Sequence, residues 1–237
     1  MLRYFEKEHF MKLPHIHIIA TGGTIAAHEK SAMQTTGYSA NDLLLANELI
    51  RSVKGIEAHA EITAENIFSL ASSAMDEAHL LQLARRVNEV LADPTVDGLV
   101  ITHGTDTLEE TAFFLYLTVK SSKPVVITGS MLPASAHSAD DPGNLINAIC
   151  TAASREAWEK GVMVCMCNRL LSARDVAKTS TYRLDTFKCL EYGTLGHVIG
   201  EDVRFYYAPV RPHGSPVSYT HLFRFGWRTR ISGRPTR

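Results

Sequence analysis

Two threonines stand in short glycine-flanked loops directly after apolar runs of strand type: Thr24 in IHIIATGGTIA and Thr105 in GLVITHGTDT. A hydroxyl displayed in this way can attack an electrophilic carbon, but a free threonine hydroxyl is a weak nucleophile. It needs a base, an orienting group and oxyanion donors close by. The second loop supplies candidates at once: His103, Thr105, Asp106 and Thr107 bring imidazole, hydroxyl and carboxylate together, and Gly104 lets the backbone approach a ligand. Taken singly, the same residues have plainer uses. Thr24 can cap a helix or line a phosphate-cradling turn, and Thr105 and Asp106 can cap a helix beginning near Leu108.

The elements that must hold these loops follow from periodicity. His15 to Ala20 reads as a strand, Ala40 to Arg51 as a helix entered through Ser39, and Ile56 to Ile62 as a second strand. Met75 to Leu91 has apolar residues at 80, 83, 84, 87, 90 and 91 with Arg85, Arg86, Asn88 and Glu89 opposite, which is helical spacing ending at Asp93-Pro94. Gly98 to Thr102 is an apolar strand, and Leu108 to Lys120 a mostly apolar helix whose Glu109 and Glu110 suit a helix N-terminus. Pro124 to Thr128 is a strand, Pro142 to Trp158 a helix with proline in its first turn, and Val162 to Cys167 a strand. Leu170 to Thr186 carries a polar run, and Tyr192 to Val210 reads as short strands with glycine turns. Five strands alternating with four helices predict an α/β fold, a largely parallel, doubly wound sheet with helices on both faces. Ligands of such sheets bind beyond the carboxyl ends of the strands, where Thr24 and Thr105 both fall.

Composition narrows the partners. The 237 residues carry a net charge of −1 with 21% charged and 45% hydrophobic residues, enough for a sizeable core and no general attraction to nucleic acid or an anionic membrane. No apolar stretch reaches the ~18 residues of a membrane span, and charges at Glu6, Lys7, Glu8 and Lys12 interrupt the N-terminus where a secretory signal would be apolar, so a cytoplasmic location is expected. Cys165 and Cys167 alternate with methionine in VMVCMC and read as buried apolar residues on one strand face rather than zinc ligands. The run from Pro216 to Arg237 differs from the rest, with five arginines, no lysine and no acid, so it carries +5 against −6 for residues 1–215. It reads as a disordered or foreign extension, or else as a basic arm.

Four segments taken together resemble the bacterial L-asparaginase family, the threonine amidohydrolases that include glutaminase-asparaginases. They are ATGGTIA at 20–26, VITHGTDTLEETA at 100–112, KPVVITGSM at 123–131 and ARDVAKTST at 173–181, within a similarity running from about Ile16 to about His213. The resemblance implies hydrolysis of the side-chain amide of asparagine to aspartate and ammonia through an acyl-enzyme, without metal or cofactor. By it, Thr24 corresponds to the nucleophile and Tyr38 in TTGYSA to the tyrosine that hydrogen-bonds it. Thr105, Lys178 and Asp106 correspond to a second hydroxyl, lysine and carboxylate group, and Asp106 can also bind the substrate ammonium. Ser72 in SLASSAM corresponds to the serine that binds the α-carboxylate, with Ser73 beside it. No catalytic role falls on His103, which reads as a structural residue.

The resemblance further implies a small-molecule substrate, a homo-oligomer of dimer or tetramer type, and a second domain of roughly another hundred residues. The expected organisation is an N-terminal extension at 1–14, an asparaginase-like catalytic domain with the start of a linker at 15–215, and the basic tail at 216–237. A non-catalytic amino-acid-binding module of the same fold remains the alternative. A nucleotide-binding domain ranks below both, since neither GxGxxG nor GKS/GKT follows the first strand.

Overall fold

Strand-forming runs rich in isoleucine and valine build one sheet of eight strands in the computed structural model, which describes residues 12–26 and 46–210. In chain order the strands and helices are β1 (His15–Gly22), α1 (Ala46–Ser52), β2 (Glu61–Leu70), α2 (Glu77–Ala92), β3 (Gly98–Thr102), α3 (Leu108–Thr118), β4 (Val125–Thr128), α4 (Asp141–Ala153), β5 (Val162–Met166), β6 (Arg169–Ser172), β7 (Val176–Lys178), β8 (Phe187–Cys189), β9 (Gly196–Ile199) and β10 (Asp202–Phe205). The order across the sheet is β2-β1-β3-β4-β5-β6-β9-β10, and β7 and β8 form a separate pair. From β2 through β5 every pairing is parallel, and from β5 through β10 every pairing is antiparallel. The predicted doubly wound α/β architecture is the observed one, with an antiparallel flank added.

Alternation along the strands divides the core in two. Ile19, Leu99, Ile101, Val125, Ile127 and Val164 pack against Leu83 and Val87 of α2 and Leu108, Ala112 and Leu115 of α3. Ile16, Ile18, Val100, Val126, Met163 and Cys165 pack against Leu49 of α1 and Leu145, Ala148 and Ile149 of α4. Both faces of β3, β4 and β5 are thus buried, which is why these strands read as continuous apolar runs.

Several boundaries move for local reasons. The strand expected at 56–62 is instead a single 3₁₀ turn at Ile56–Ala58 that follows Gly55, whose φ of 82° turns the chain and drops Ile56 into the core; the strand begins at Glu61. The first helix starts within the described residues at Ala46; residues 40–45 of the expected element lie outside them. Asp76 accepts the His79 N–H and caps α2, while Asp93 before Pro94 turns extended and ends it. The helix expected to reach Trp158 stops at Ala153, because Ser154 turns extended and its hydroxyl accepts the Glu156 N–H to start a 3₁₀ turn.

Cys165 is fully buried as expected, and burial pushes its thiol up to about 12. Cys167 departs from expectation. It and Asn168, with φ of 49° and 62°, form the two-residue left-handed turn joining β5 to β6, so Cys167 lies past the strand instead of on the Cys165 face. Asn144 Oδ1 accepts the Cys167 N–H and Asn147 Nδ2 donates to Asn168 Oδ1, so α4 holds this turn in place.

Candidate active site at the carboxyl end of the sheet

The order β2-β1-β3-β4-β5 reverses direction between β1 and β3, the position where open α/β sheets leave a crevice for ligands. The loops that leave β1, β2 and β3 meet there. Gly23, with φ 82°, donates its N–H to Leu70 O at 3.1 Å, and its α-carbon faces Gly104 so closely that a Cβ would stand 2.2 Å from Gly104 Cα. A Cβ on Gly104 would in turn stand 2.6 Å from Ser72 Oγ. Only glycines permit this three-way contact. Below it, Thr21 Oγ1 donates to Thr102 O at 2.9 Å.

Thr24 opens the 3₁₀ turn Thr24–Ala26 directly after this contact and is 5% exposed. Ser72 is buried; its Oγ accepts the Asp106 N–H at 3.1 Å, and its carbonyl accepts the Thr107 hydroxyl at 2.8 Å. Thr107 therefore uses its hydroxyl on the Ser72 loop and not as a cap for α3. Ser73, next along the turn, is exposed. Tyr38 lies outside the described residues.

Lys178 closes the group from a distant part of the chain. As the last residue of β7 it sends Nζ to 2.9 Å from Thr105 Oγ1 and 2.9 Å from Asp106 Oδ1. The lysine side chain is 16% exposed and the aspartate 66%, so the ion pair is anchored inside and open to solvent on its carboxylate side. The structure places Lys178, within the polar run from Leu170 to Thr186, on a paired strand opposite Phe187. The backbone N–H of the same lysine donates to Glu109 Oε2 in the first turn of α3.

His103 is fully buried and does not face the ion pair. Its Nδ1 lies 2.7 Å from Gly104 O, which can only accept, so Nδ1 carries the proton; Nε2 then accepts from Thr111 Oγ1 at 3.1 Å. Burial pushes its pKa down to about 4 against a smaller upward pull from the Gly104 carbonyl. At neutral pH the ring is uncharged and braces the loop.

A second loop supports the first. A Cβ on Gly129 would stand 2.6 Å from His103 O, so the 129–132 segment lies directly under the Thr105 loop. Asp140 fixes that segment by accepting from Ser130 Oγ at 2.7 Å, Met131 N at 3.0 Å, Leu132 N at 2.9 Å and Asn144 Nδ2 at 2.9 Å. Asp140 and Asn144 were not singled out in the sequence, and Glu109 was read only as an acid suited to a helix N-terminus; its place three residues after Asp106 was the available signal for a role at the site.

Asp141, beside Asp140 in the first turn of α4, is 2% exposed and its Oδ1 has no partner among the described residues. Burial, aided by the Asp140 charge, raises its pKa to about 6, while its own backbone N–H pulls the other way. The folded state therefore resists ionising this group. Its stabilising preference is intact below pH ~4, where the unfolded chain is also protonated, and is lost as pH rises through about 6. Asp141→Asn is expected to raise stability by up to roughly 3 kcal/mol at pH 8 and to change it little near pH 4. Urea midpoints of both proteins at the two pH values measure this; equal gains at both would refute it.

No group of three His, Cys, Asp or Glu side chains able to hold a metal occurs among the described residues, and no helix there is long and apolar enough to cross a membrane.

The chain is similar to known proteins over most of its length. The family model described as "Asparaginase, N-terminal" matches residues 15–211. "L-asparaginase 2" of Bacillus subtilis is 47% identical over 208 residues, covering 88% of this chain and 55% of that protein. "L-asparaginase 2" of Escherichia coli is 42% identical over 209 residues, covering 88% and 59%. The crystal structure of a probable cytoplasmic L-asparaginase from Campylobacter jejuni superposes with a TM-score of 0.82 at 43% identity, covering 86% of this chain and 62% of that one. The chain spans somewhat over half the length of these relatives. With most of its length matched and sequence, fold and family model in agreement, it belongs to the asparaginase family, to whose N-terminal part it corresponds.

Proposed function

We propose that this chain provides the nucleophile and head-group side of an amidohydrolase site for L-asparagine, with some capacity for glutamine. The observation that carries the reading is Lys178 Nζ held 2.9 Å from both Thr105 Oγ1 and Asp106 Oδ1, beside the glycine contact that fixes the Thr24 loop. In the first step Thr24 Oγ1 bonds to the side-chain amide carbon, the C–N bond breaks, and the threonine proton leaves with ammonia. The family resemblance assigns Tyr38 as hydrogen-bond partner of this threonine, and backbone N–H groups at the loop are the donors for the developing oxyanion. In the second step Thr105 Oγ1, oriented by Lys178 Nζ, positions a water that attacks the Thr24 ester carbon; the ester C–O bond breaks, a proton from the water goes to Thr24 Oγ1, and aspartate leaves. Asp106 holds Lys178 Nζ in place for this step.

Asp106, at the open side of the pair, is the ligand for the substrate ammonium, and Ser72 and Ser73 are the ligands for its carboxylate. Residues 15–215 constitute the catalytic domain, with 1–14 and 216–237 as extensions, and the protein acts in the cytoplasm as a dimer or tetramer without a cofactor.

The test is direct detection of the intermediate. Acid-quenching the full chain during incubation with L-asparagine is expected to leave an aspartyl ester on the peptide that contains Thr24. Ammonia release without that ester would remove Thr24 from its role, and tight asparagine binding with neither would favour the non-catalytic module.

A further inference from the structure

Lys178 stands on an element that has little hold of its own. Its strand β7 is three residues long and pairs only with the three-residue β8, apart from the main sheet. A two-stranded ribbon of that length is marginal in isolation, so the lysine's position depends on what ties the ribbon down. Val176 at one end and Phe187, opposite Lys178 at the other, sink into the core with α3. The backbone of the lysine is tied in addition by Glu109, whose Oε2 accepts the Lys178 backbone N–H.

Glu109 is placed for this by the site loop. It lies in the first turn of α3, whose start follows the Thr105-Asp106-Thr107 stretch, so one short segment grips Lys178 at both ends. Thr105 and Asp106 hold Nζ, and Glu109 holds the backbone from which that side chain springs. The carboxylate is well suited to the task, since a charged acceptor makes a stronger bond to N–H than a neutral one and its charge is favoured at a helix N-terminus.

We infer that Glu109 is a positioning residue, which fixes the β7 backbone so that Lys178 Nζ is presented to Thr105 and Asp106. The inference rests on Lys178 belonging to the site proposed above, but its geometry can be read without turnover. The hydrogen bond of the glutamate goes to the Lys178 backbone, so it acts through the lysine.

The experiment compares full-length wild type with Glu109→Ala, Glu109→Gln and Glu109→Asp. Each is treated with a limiting amount of an acetylating ester, and the acetylation rate of Lys178 is measured by mass spectrometry relative to exposed Lys54 in the same molecule. Loss of the acceptor is expected to raise the Lys178/Lys54 ratio by about tenfold in Glu109→Ala. Glu109→Gln, which keeps an acceptor oxygen at the same reach, is expected to stay within about twofold of wild type. Glu109→Asp keeps the charge but falls one methylene short; it is expected to follow the alanine variant and serves in its place if that variant does not fold. An unchanged ratio in both short variants, or an equal rise in Glu109→Gln, overturns the inference. Ammonia release is scored separately: a wild-type chain that releases none refutes the proposed function and leaves the labelling result to judge Glu109. In a chain that turns over, Glu109→Ala is expected to lower kcat by about tenfold or more with little change in KM, and the glutamine to restore it. A KM effect alone overturns the inference.

Discussion

Thr24→Ala is expected to lower the rate of ammonia release from L-asparagine by at least about 10³-fold, since removing a covalent nucleophile leaves only binding and oxyanion stabilisation. Thr24→Ser, which keeps the hydroxyl, is expected to retain measurable turnover. Lys178→Met separates the two halves of the reaction. It removes the amine 2.9 Å from Thr105 Oγ1 and leaves the Thr24 loop intact, so acylation continues while hydrolysis of the ester slows by about 10²-fold to 10⁴-fold. The aspartyl ester should then accumulate, giving a burst of ammonia followed by a slow phase. A Lys178→Met protein that loses the burst as well would place the lysine in acylation and contradict the division of labour between the threonines. Stopped-flow ammonia detection distinguishes the cases.

Gly23→Ala is expected to destabilise the protein by about 3 kcal/mol or more, because two penalties coincide. The left-handed backbone at φ 82° disfavours any Cβ, and that Cβ would lie 2.2 Å from Gly104 Cα, where backbone faces backbone and no flexible side chain can yield. The β1 and β3 loops must separate to accept it, and Thr24 moves with them. Gly55→Ala is the matched control. It has the same φ of 82° but nothing within 4 Å of the added carbon, so it should cost only the conformational part, about 1 kcal/mol. Urea midpoints of the two variants give the contact contribution as their difference, and equal losses would show that the glycine interlock carries no strain.

Much of the architecture was legible because burial writes itself into spacing. The two-sided burial of β3, β4 and β5 appears as unbroken apolar runs, and α2 shows its inner face at 83, 84, 87, 90 and 91. Ile56 misled for the same reason: an isolated buried residue after a turn looks like the first residue of a strand. Ser154 hid the end of α4 because a serine inside a helical pattern signals nothing until its hydroxyl is seen to bond the backbone. The short strands expected between Tyr192 and Val210 are β9 and β10, but β6 and the β7–β8 ribbon are three- and four-residue strands too short to show a period.

The site was less legible than the fold. The Thr24 and Thr105 loops announce themselves by glycine and hydroxyl density, but nothing in local spacing links either to Lys178, whose bond to Thr105 crosses 73 residues. The family resemblance supplied that link. It did not reach Glu109 or Asp140, whose work is to accept backbone N–H groups, a role that any acid near a loop can fill and that only coordinates reveal.

The glycine interlock also bears on how the protein folds. The Thr21 hydroxyl bond to Thr102 beneath it closes 81 residues of chain, so the crevice costs loop entropy that no local contact offsets. Gly23 can meet Gly104 and Ser72 only after β1 has found both β2 and β3 in register. In native-state hydrogen exchange the amides of Gly23 and Asp106 should open together, as one cooperative unit.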